Sequence, residues 1–499
     1  MLLKLQNGTD VRGIASEGIE GQQVNFGPSE ANRIAQAFVI WLSGKTGKNK
    51  DALRIGIGHD SRITAESLKA GIIAGIAAQG AKPYDSHLAS TPAMFMSVIY
   101  PEFGFDGAVM ITASHLPFNR NGMKFFDRDG GLEHDDITAV LTIAEKLSEA
   151  DGGSAAEEAD ILSVYSADLA DKIRKAVQAD DYEYPLKGLK IVVDAGNGAG
   201  GFFVEKVLKP LGADTAGSQF LEPDGMFPNH IPNPEDKAAM AAIRKAVLDA
   251  KADLGIIFDT DVDRMSAVMP DGTPVNRDAI IALMAVILAE DYPGGTIVTD
   301  SVTSDRLRVF LESGLGMKQH RFKRGYKNVI NECRRLNEEG ILSPLAIETS
   351  GHGAMKENYY LDDGAYMAVK LLIYAAKAKA QGRGIADCID GLKPAFEEAE
   401  CRLRISGEDF AQYGAQVLKD FEARAKETGL AVEPDSYEGV RISFRGDDIR
   451  GWLLLRMSLH DPLLPLNLEG ERAGDIARMK TLVRKLLDGF DRLDLTPLG

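Results

Sequence analysis

Met110 to Phe126 reads MITASHLPFNRNGMKFF, in which a hydroxyl and an imidazole, Ser114 and His115, are adjacent and an ammonium, Lys124, returns after a bend. By itself an adjacent serine and histidine reads as a polar surface turn, and the rest of the chain decides whether the pair does chemistry. A second stretch, FDTDVDR, alternates Asp259, Asp261 and Asp263 after the apolar run Leu254 to Phe258. Three carboxylates at i, i+2 and i+4 on a continuing strand would share one face and repel, so the spacing calls for a cation or for a loop in which they converge. Hard oxygen ligands of this kind suit Mg²⁺. An EF-hand also opens on alternating aspartates, but here its sixth position is Arg264 and its twelfth Pro270, where Gly and Glu are needed. A solvated acidic turn is the alternative.

Three further groups offer chemistry. ETSGHG (Glu348 to Gly353) supplies a carboxylate, a hydroxyl and an imidazole within one short loop and suits sugar hydroxyls, or else a capping turn. DAGNGAGG places Gly196, Gly198 and Gly201 in the dinucleotide-binding spacing, with Asp214 near the distance expected of a ribose acid. Taken alone that supports an NAD-dependent oxidoreductase, against the commoner glycine-rich turn between strand and helix. Cations recur in loops at Arg12, Lys124, Arg264, the run RFKRGYK (Arg321 to Lys327), Arg441, Arg445, Arg450 and Arg456. Several adjoin the motifs above, which favours a cationic pocket for phosphate over scattered surface charge.

The chain that must position these groups has 499 residues, 44% of them hydrophobic and 26% charged, too many for one core and too apolar for disorder. Its formal charge of −17 disfavours nucleic acid and anionic membrane, so an anionic ligand is small and locally held. MLLKLQNGTD lacks the apolar run of a signal peptide, and the stretch Ala279 to Ala289 is too short to span a bilayer. A cytoplasmic protein is expected, with Cys333, Cys388 and Cys401 as free thiols that carry no chemistry.

Arg54 to Asp85, Lys190 to Thr215 and Gly295 to Gly316 share one plan, a short β-branched run, a Gly/Asp-rich loop and an amphipathic helix. They read as diverged copies of one α/β unit, with mainly parallel sheets and ligands at the loops beyond the strand ends. Cuts near Asp151 to Asp160, after Pro270 to Asp278 and at Ala380 to Pro394 divide the chain into 1–160, 161–275, 276–394 and 395–499. The last part changes to α+β, with a polar helix over Asp409 to Thr428 and paired strands around a polar turn in Glu438 to Leu459.

In order, these segments resemble the α-D-phosphohexomutase superfamily, the phosphomannomutases and phosphoglucomutases, over nearly the whole chain. NGTDVRG is similar to its N-terminal signature, TASHLP to its phosphoserine loop, and EPDGMFPNHIPNPE to a segment of its second domain. DTDVDR is similar to its metal loop, ETSGH to its sugar-binding loop and RMSLHDP to its phosphate-binding loop. The resemblance implies an α/β protein of four domains around a central cleft, three of them related and mixed-sheet, the fourth a smaller α+β domain.

The same resemblance implies the chemistry. Ser114 would carry a phosphate and pass it to a hexose monophosphate, through a hexose 1,6-bisphosphate that turns over and returns its other phosphate. Mg²⁺ would be held by Asp259, Asp261, Asp263 and an oxygen on Ser114. Arg12 and Lys124 would move the sugar hydroxyl's proton, with His115 and His352 in support. Arg264, Lys323, Arg324, Tyr326, Lys327, Glu348, Ser350, Arg456, Ser458 and His460 would bind substrate. The partners implied are small hexose phosphates, with no nucleic acid and no membrane, and a monomer or homodimer. A phosphoglucosamine mutase, or a catalytically weak sugar-phosphate-binding relative, is the alternative within the family. The chain departs from the family pattern at Leu116, at Thr260 and Val262 in place of glycines, at Arg324 to Lys327, and at Leu459 and His460.

Overall fold

The computed structural model describes residues 2–151, 153, 155–458 and 461–499, with the backbone alone at 386 and 387. The chain divides into two compact units, one of 1–280 with 350–387, the other of 281–349 with 388–499.

After strand Asp10–Ile14 and helix Pro28–Thr46 the first unit runs strand–helix–strand, Arg54–His59, Ala65–Ala78 and Lys82–Leu88, as the alternation of apolar runs and loops requires. Arg54–His59 lies parallel to Lys82–Leu88 on one side and to Gly107–Ile111 on the other. Every residue of Gly107–Ile111 is buried, the burial expected of a central strand covered on both faces. Helix Ala65–Ala78 runs tightly against helix Pro28–Thr46. A Cβ on Gly71 would stand 2.3 Å from the Pro28 carbonyl oxygen, and one on Gly75 2.3 Å from that of Asn32, so only glycine admits this approach. The sheet is mixed, as the family resemblance implies, where the strand–helix alternation alone pointed to mainly parallel pairing: Arg120–Asp127 runs antiparallel to Gly107–Ile111, and Asp10–Ile14 antiparallel to Arg120–Asp127. The cause is a short connection, since the loop from Ile111 to Arg120 lacks the length for a crossover helix.

A second sheet of this unit orders Ile191–Asp194, Leu254–Phe258, Met265–Val268 and Pro274–Val275. Its first pair is parallel and the next antiparallel, with Phe258 opposite Met265. The 259–264 loop is therefore a tight turn at a strand end. The expected amphipathic helix after Ile191–Asp194 is instead a wide-turn π-helix, Phe203–Leu208, tightening into a 3-10 turn at Lys209–Leu211, where Pro210 cannot continue it. A hairpin of Gly353–Met355 with Leu361–Asp362, followed by helix Gly364–Ala380, belongs to the same unit.

In the second unit Thr296–Thr299 lies parallel to Lys318–Arg321 and to Leu345–Ile347. Its later part is an antiparallel sheet ordered Glu397–Arg404, Leu463–Gly470, Arg450–Leu455, Val440–Arg445 and Ala431–Val432. Helices Phe410–Glu427 and Asp475–Leu486 pack on one core with it, Val417, Phe421, Met479 and Val483 against Leu453, Leu455 and Leu466. This is the α+β character expected of the C-terminal part, and Arg445 pairs with Arg450 across the turn of the expected hairpin. The cysteines are free, Cys333 and Cys401 buried. Among the described residues no helix is long and apolar enough to cross a membrane.

Candidate active site

The strand ends of the first unit bring together residues that lie far apart in sequence. Ser114 follows Gly107–Ile111 and takes a left-handed backbone, φ 51°. Its Oγ donates to Asp259 Oδ2 at 3.0 Å and accepts from Arg264 Nη2 at 3.1 Å. Arg264, fully buried, also donates through Nε to Asp259 at 3.1 Å, through Nη1 to Asn233 at 3.2 Å and through Nη2 to His115 Nδ1 at 2.5 Å. Because Nδ1 accepts, the neutral ring of His115 carries its proton on Nε2. Burial, then the charges of Arg264, Arg12 and His352, press its pKa down to about 2, so it stays neutral.

The three aspartates converge in the 259–264 turn, one ligand oxygen from each within 4.8 Å of the others, all buried. Lys124, on Arg120–Asp127, meets Asp263 Oδ2 at 2.5 Å and Asp261 Oδ2 at 3.3 Å. Burial alone would raise the pKa of Asp263; Lys124, His352 and Arg264 outweigh it and hold the carboxyl well below its usual range. Asp259 goes the other way, raised by burial and by the charges of Asp263 and Asp261, which Arg264 only partly offsets. His352 gives its Nδ1 to Asp362 at 2.5 Å and stands 3.8 Å from Asp263. Burial lowers its pKa, but Asp362 and Asp263 prevail and raise it to about 9, so the ring is a cation at neutral pH. Arg12, on Asp10–Ile14, is paired with Asp10 at 2.9 Å.

Asp261 Oδ1 and Asp263 Oδ1 are buried oxygens with no hydrogen-bond partner among the described residues. Bare carboxylate oxygens in a dry site are costly unless a cation takes them. An all-oxygen donor set with two uncommitted oxygens therefore fits a hard divalent ion.

In the second unit the backbone N–H of Arg324 donates to Glu438 Oε2 at 2.9 Å, and that of Gly325 to Glu348 Oε1 at 2.6 Å. Glu438 also accepts from Ser301 Oγ at 2.6 Å and from Arg456 Nη1 at 3.3 Å. Burial lowers the pKa of Arg456, with Glu438 opposing. Ser458 Oγ accepts from the Asp461 N–H at 3.2 Å. Lys323, Tyr326 and Lys327 lie on the same connection, the last two opening helix Tyr326–Glu338. Ser350, buried, belongs to the first unit with His352. His460 and Leu459 lie outside the described residues. Arg441 is taken up within the fold: it pairs with Asp305 at 3.0 Å and stacks 3.9 Å over Trp452.

Several residues that bond to the expected ones were missed in the sequence. Thr91 donates to Asp261 Oδ2 at 2.5 Å; its only signal was the Ser90-Thr91-Pro92 helix start. Asn233 lies in the quoted segment EPDGMFPNHIPNPE but was not singled out there, and Asp362 and Glu438 gave no signal beyond their neighbours. The dinucleotide reading of DAGNGAGG is overturned. A Cβ on Gly198 would stand 2.5 Å from the Thr260 carbonyl oxygen and one on Gly201 2.4 Å from that of Leu221, so the glycines admit the protein's own backbone and leave no room for a pyrophosphate.

A serine gripped by an arginine and an acidic turn, at the strand ends of a mixed α/β sheet, suits an enzyme of phosphoryl transfer. Residues 4–151, 167–272 and 276–392 match, in turn, alpha/beta/alpha domains I, II and III of the phosphoglucomutase/phosphomannomutase family. The chain is 28% identical over 438 residues to a phosphomannomutase/phosphoglucomutase of Pseudomonas aeruginosa, 88% of each protein. It is 27% identical over 488 residues to a phosphoglucomutase of Neisseria gonorrhoeae, 97% of this chain and 96% of that one. The fold is that of a phosphoglucomutase/phosphomannomutase family protein from Burkholderia thailandensis, with a TM-score of 0.78 and 24% identity over 98% of both chains. The chain belongs to the α-D-phosphohexomutase superfamily. Its function is that of a phosphohexomutase, an isomerase acting by intramolecular phosphoryl transfer.

Proposed function

We propose that the enzyme interconverts the 1- and 6-phosphates of glucose and mannose through phosphorylated Ser114 and a hexose 1,6-bisphosphate. The observation that carries this reading is the Ser114 hydroxyl set between Asp259 and Arg264, beside two buried, uncommitted carboxylate oxygens. Mg²⁺ held by Asp259, Asp261, Asp263 and an oxygen on Ser114 would supply the Lewis acid that neutralises charge on the transferring group. Arg264, next to Asp259 and Ser114, would grip that group, already charged and aligned before substrate arrives, which is where preorganised electrostatics act. Lys124 and Arg12 move the proton of the attacking sugar hydroxyl, and His352, a cation oriented by Asp362, backs them. His115, kept neutral, takes part by orientation.

Glu348 and Ser350 hold sugar hydroxyls, and Arg324, Lys323, Tyr326, Lys327, Arg456, Ser458 and His460 hold the phosphate that is not being transferred. Glu348 and Ser350 are assigned the 3- and 4-hydroxyls on family resemblance alone, and through those positions epimers at carbon 2 are not told apart. The reading keeps the division at 1–160, 161–275, 276–394 and 395–499, a cytoplasmic setting, and a monomer or homodimer with small hexose phosphates as its partners. A panel of glucose, mannose and glucosamine 1-phosphates with a trace of the bisphosphate tests it. Comparable turnover of glucose and mannose phosphates is expected, and efficiency on glucosamine phosphate well above both would replace the assignment with a phosphoglucosamine mutase.

A further inference from the structure

The left-handed backbone of Ser114 costs a non-glycine residue about 1–2 kcal/mol and persists only where its surroundings enforce it. The groups that enforce it come from the turn after strand Arg54–His59, where Asp60 and Arg62 have fully buried side chains. Arg62 donates through Nη1 to the carbonyls of Pro117 and Arg120, each at 2.8 Å, and through Nη2 to those of Leu116, at 2.7 Å, and Ser114. Its Nη hydrogens are thus committed to the backbone of the loop that begins at Ser114. Behind it Asp60 Oδ1 accepts the Arg62 N–H at 2.9 Å, Asp60 Oδ2 accepts the Thr112 hydroxyl at 2.7 Å, and Thr112 Oγ1 accepts the Ser114 N–H at 2.9 Å. Phe227 covers the guanidinium, its ring centre 5.3 Å from the central carbon. A lysine, with three hydrogens on one nitrogen, cannot reproduce that planar fork.

We propose that Arg62, backed by Asp60 and Thr112, is a positioning residue of the phosphoryl-transfer step. It locks the 114–120 loop so that Ser114 Oγ stays between Asp259 and Arg264 in both half-reactions. Arg62 is not a phosphate ligand, because its Nη hydrogens are spent on carbonyls. The inference rests on the reading of Ser114 as the phosphorylated residue, and displacement of a reacting atom by about 1 Å costs about a hundredfold in rate.

The test uses the full chain in Mg²⁺ buffer, with Arg62→Lys, Thr112→Val and Ser114→Ala. Phosphate uptake from glucose 1,6-bisphosphate is followed by intact mass, and kcat, KM and thermal unfolding are measured for each. Arg62→Lys is expected to lower kcat and the rate of Ser114 phosphorylation together, about a hundredfold, with KM held within about twofold. Thr112→Val, which removes one hydroxyl from the same support, should lower them about tenfold. A folded Arg62→Lys with unchanged kcat, or with only KM raised, overturns the proposal. If Arg62→Lys does not unfold cooperatively, Thr112→Val decides, and its unchanged kcat overturns the proposal equally. An active Ser114→Ala enzyme would instead overturn the phosphoserine reading on which all this rests.

Discussion

Carboxylates line the working loops of both units, and they do opposite things. In the 259–264 turn of the first unit, acceptors outnumber hydrogen-bond donors: Lys124 and Thr91 serve Asp261 and Asp263, yet among the described residues Asp261 Oδ1 and Asp263 Oδ1 accept no hydrogen bond, the latter only facing His352 at 3.8 Å. In the second unit Glu438 and Glu348 are met by backbone N–H groups of Arg324 and Gly325 and by the Arg456 guanidinium. Consecutive N–H groups turned toward carboxylate oxygens are a seat that a phosphate oxygen also fits. The residue type is the same, and what differs is the balance of donors to acceptors, short of donors in the first place and matched in the second.

The sharpest way to break this comparison is at Ser114. If the cation-seeking turn serves a phosphoryl group on that serine, Ser114→Ala should lose more than about a thousandfold in turnover and take up no phosphate by intact mass. Residual activity near wild type, with phosphate mapped elsewhere, would detach the acidic turn from the chemistry.

Chelation comes next. Excess EDTA should abolish turnover and Mg²⁺ restore it. Mg²⁺ should also stabilise the folded protein by about 2.7 kcal/mol at a hundred times its dissociation constant, read as a rise in Tm. Asp261→Asn should lose most of that rise and most of the activity, because it removes one of the two bare oxygens. A Tm that Mg²⁺ leaves unmoved in the wild type would mean that the turn satisfies itself.

Arg456→Ala tests the anion side. Loss of a hydrogen bond to a charged group is worth about 1.5–3 kcal/mol, so the apparent KM should rise tenfold or more, with kcat falling less. Glu438→Gln keeps an acceptor but loses the charge facing Arg456, and its KM should shift in the same sense by a smaller factor. Unchanged kinetics in both would place the distal phosphate outside this loop.

How much of this the sequence made legible follows from the range of the forces involved. The strand–loop–helix plan and the 440–455 hairpin were readable because hydrophobic period and turn chemistry are local. The aspartate triplet was readable because its repulsion is written in its spacing. Val262, where a glycine is usual in the family, stands in the left-handed region at φ 67°, rare for a β-branched residue. The glycines at 196, 198 and 201 misled because their spacing is the same whether a cofactor or a neighbouring carbonyl fills the space. Thr91 bonds Asp261, and Glu438 bonds the Arg324 peptide, only because the chain folds back over more than a hundred residues, and no local signal carries that.

The smallest expected effect is on stability, and it concerns what stands behind the acidic turn. Asn233, which accepts from Arg264, lies on the loop that His230 anchors by an Nε2 contact with Asp194 at 3.0 Å. Burial pushes the pKa of His230 down, but the bond to Asp194 and its charge prevail, and the folded value lies above the ordinary one. The sign follows from linkage: a histidine raised on folding stabilises fully below its unfolded pKa of about 6.5, and that stabilisation is lost as pH rises through the folded pKa. His230→Gln should therefore cost about 1.5–3 kcal/mol at pH 6, the worth of a charge-assisted bond, and less at pH 9, measured as the difference in unfolding free energy between wild type and variant. The Mg²⁺-dependent rise in Tm should survive the substitution, since the bare oxygens of Asp261 and Asp263 are untouched. A cost that grows with pH would reverse the sign and show that His230 is held neutral against Asp194, leaving Asn233 and the Arg264 grip supported by shape alone.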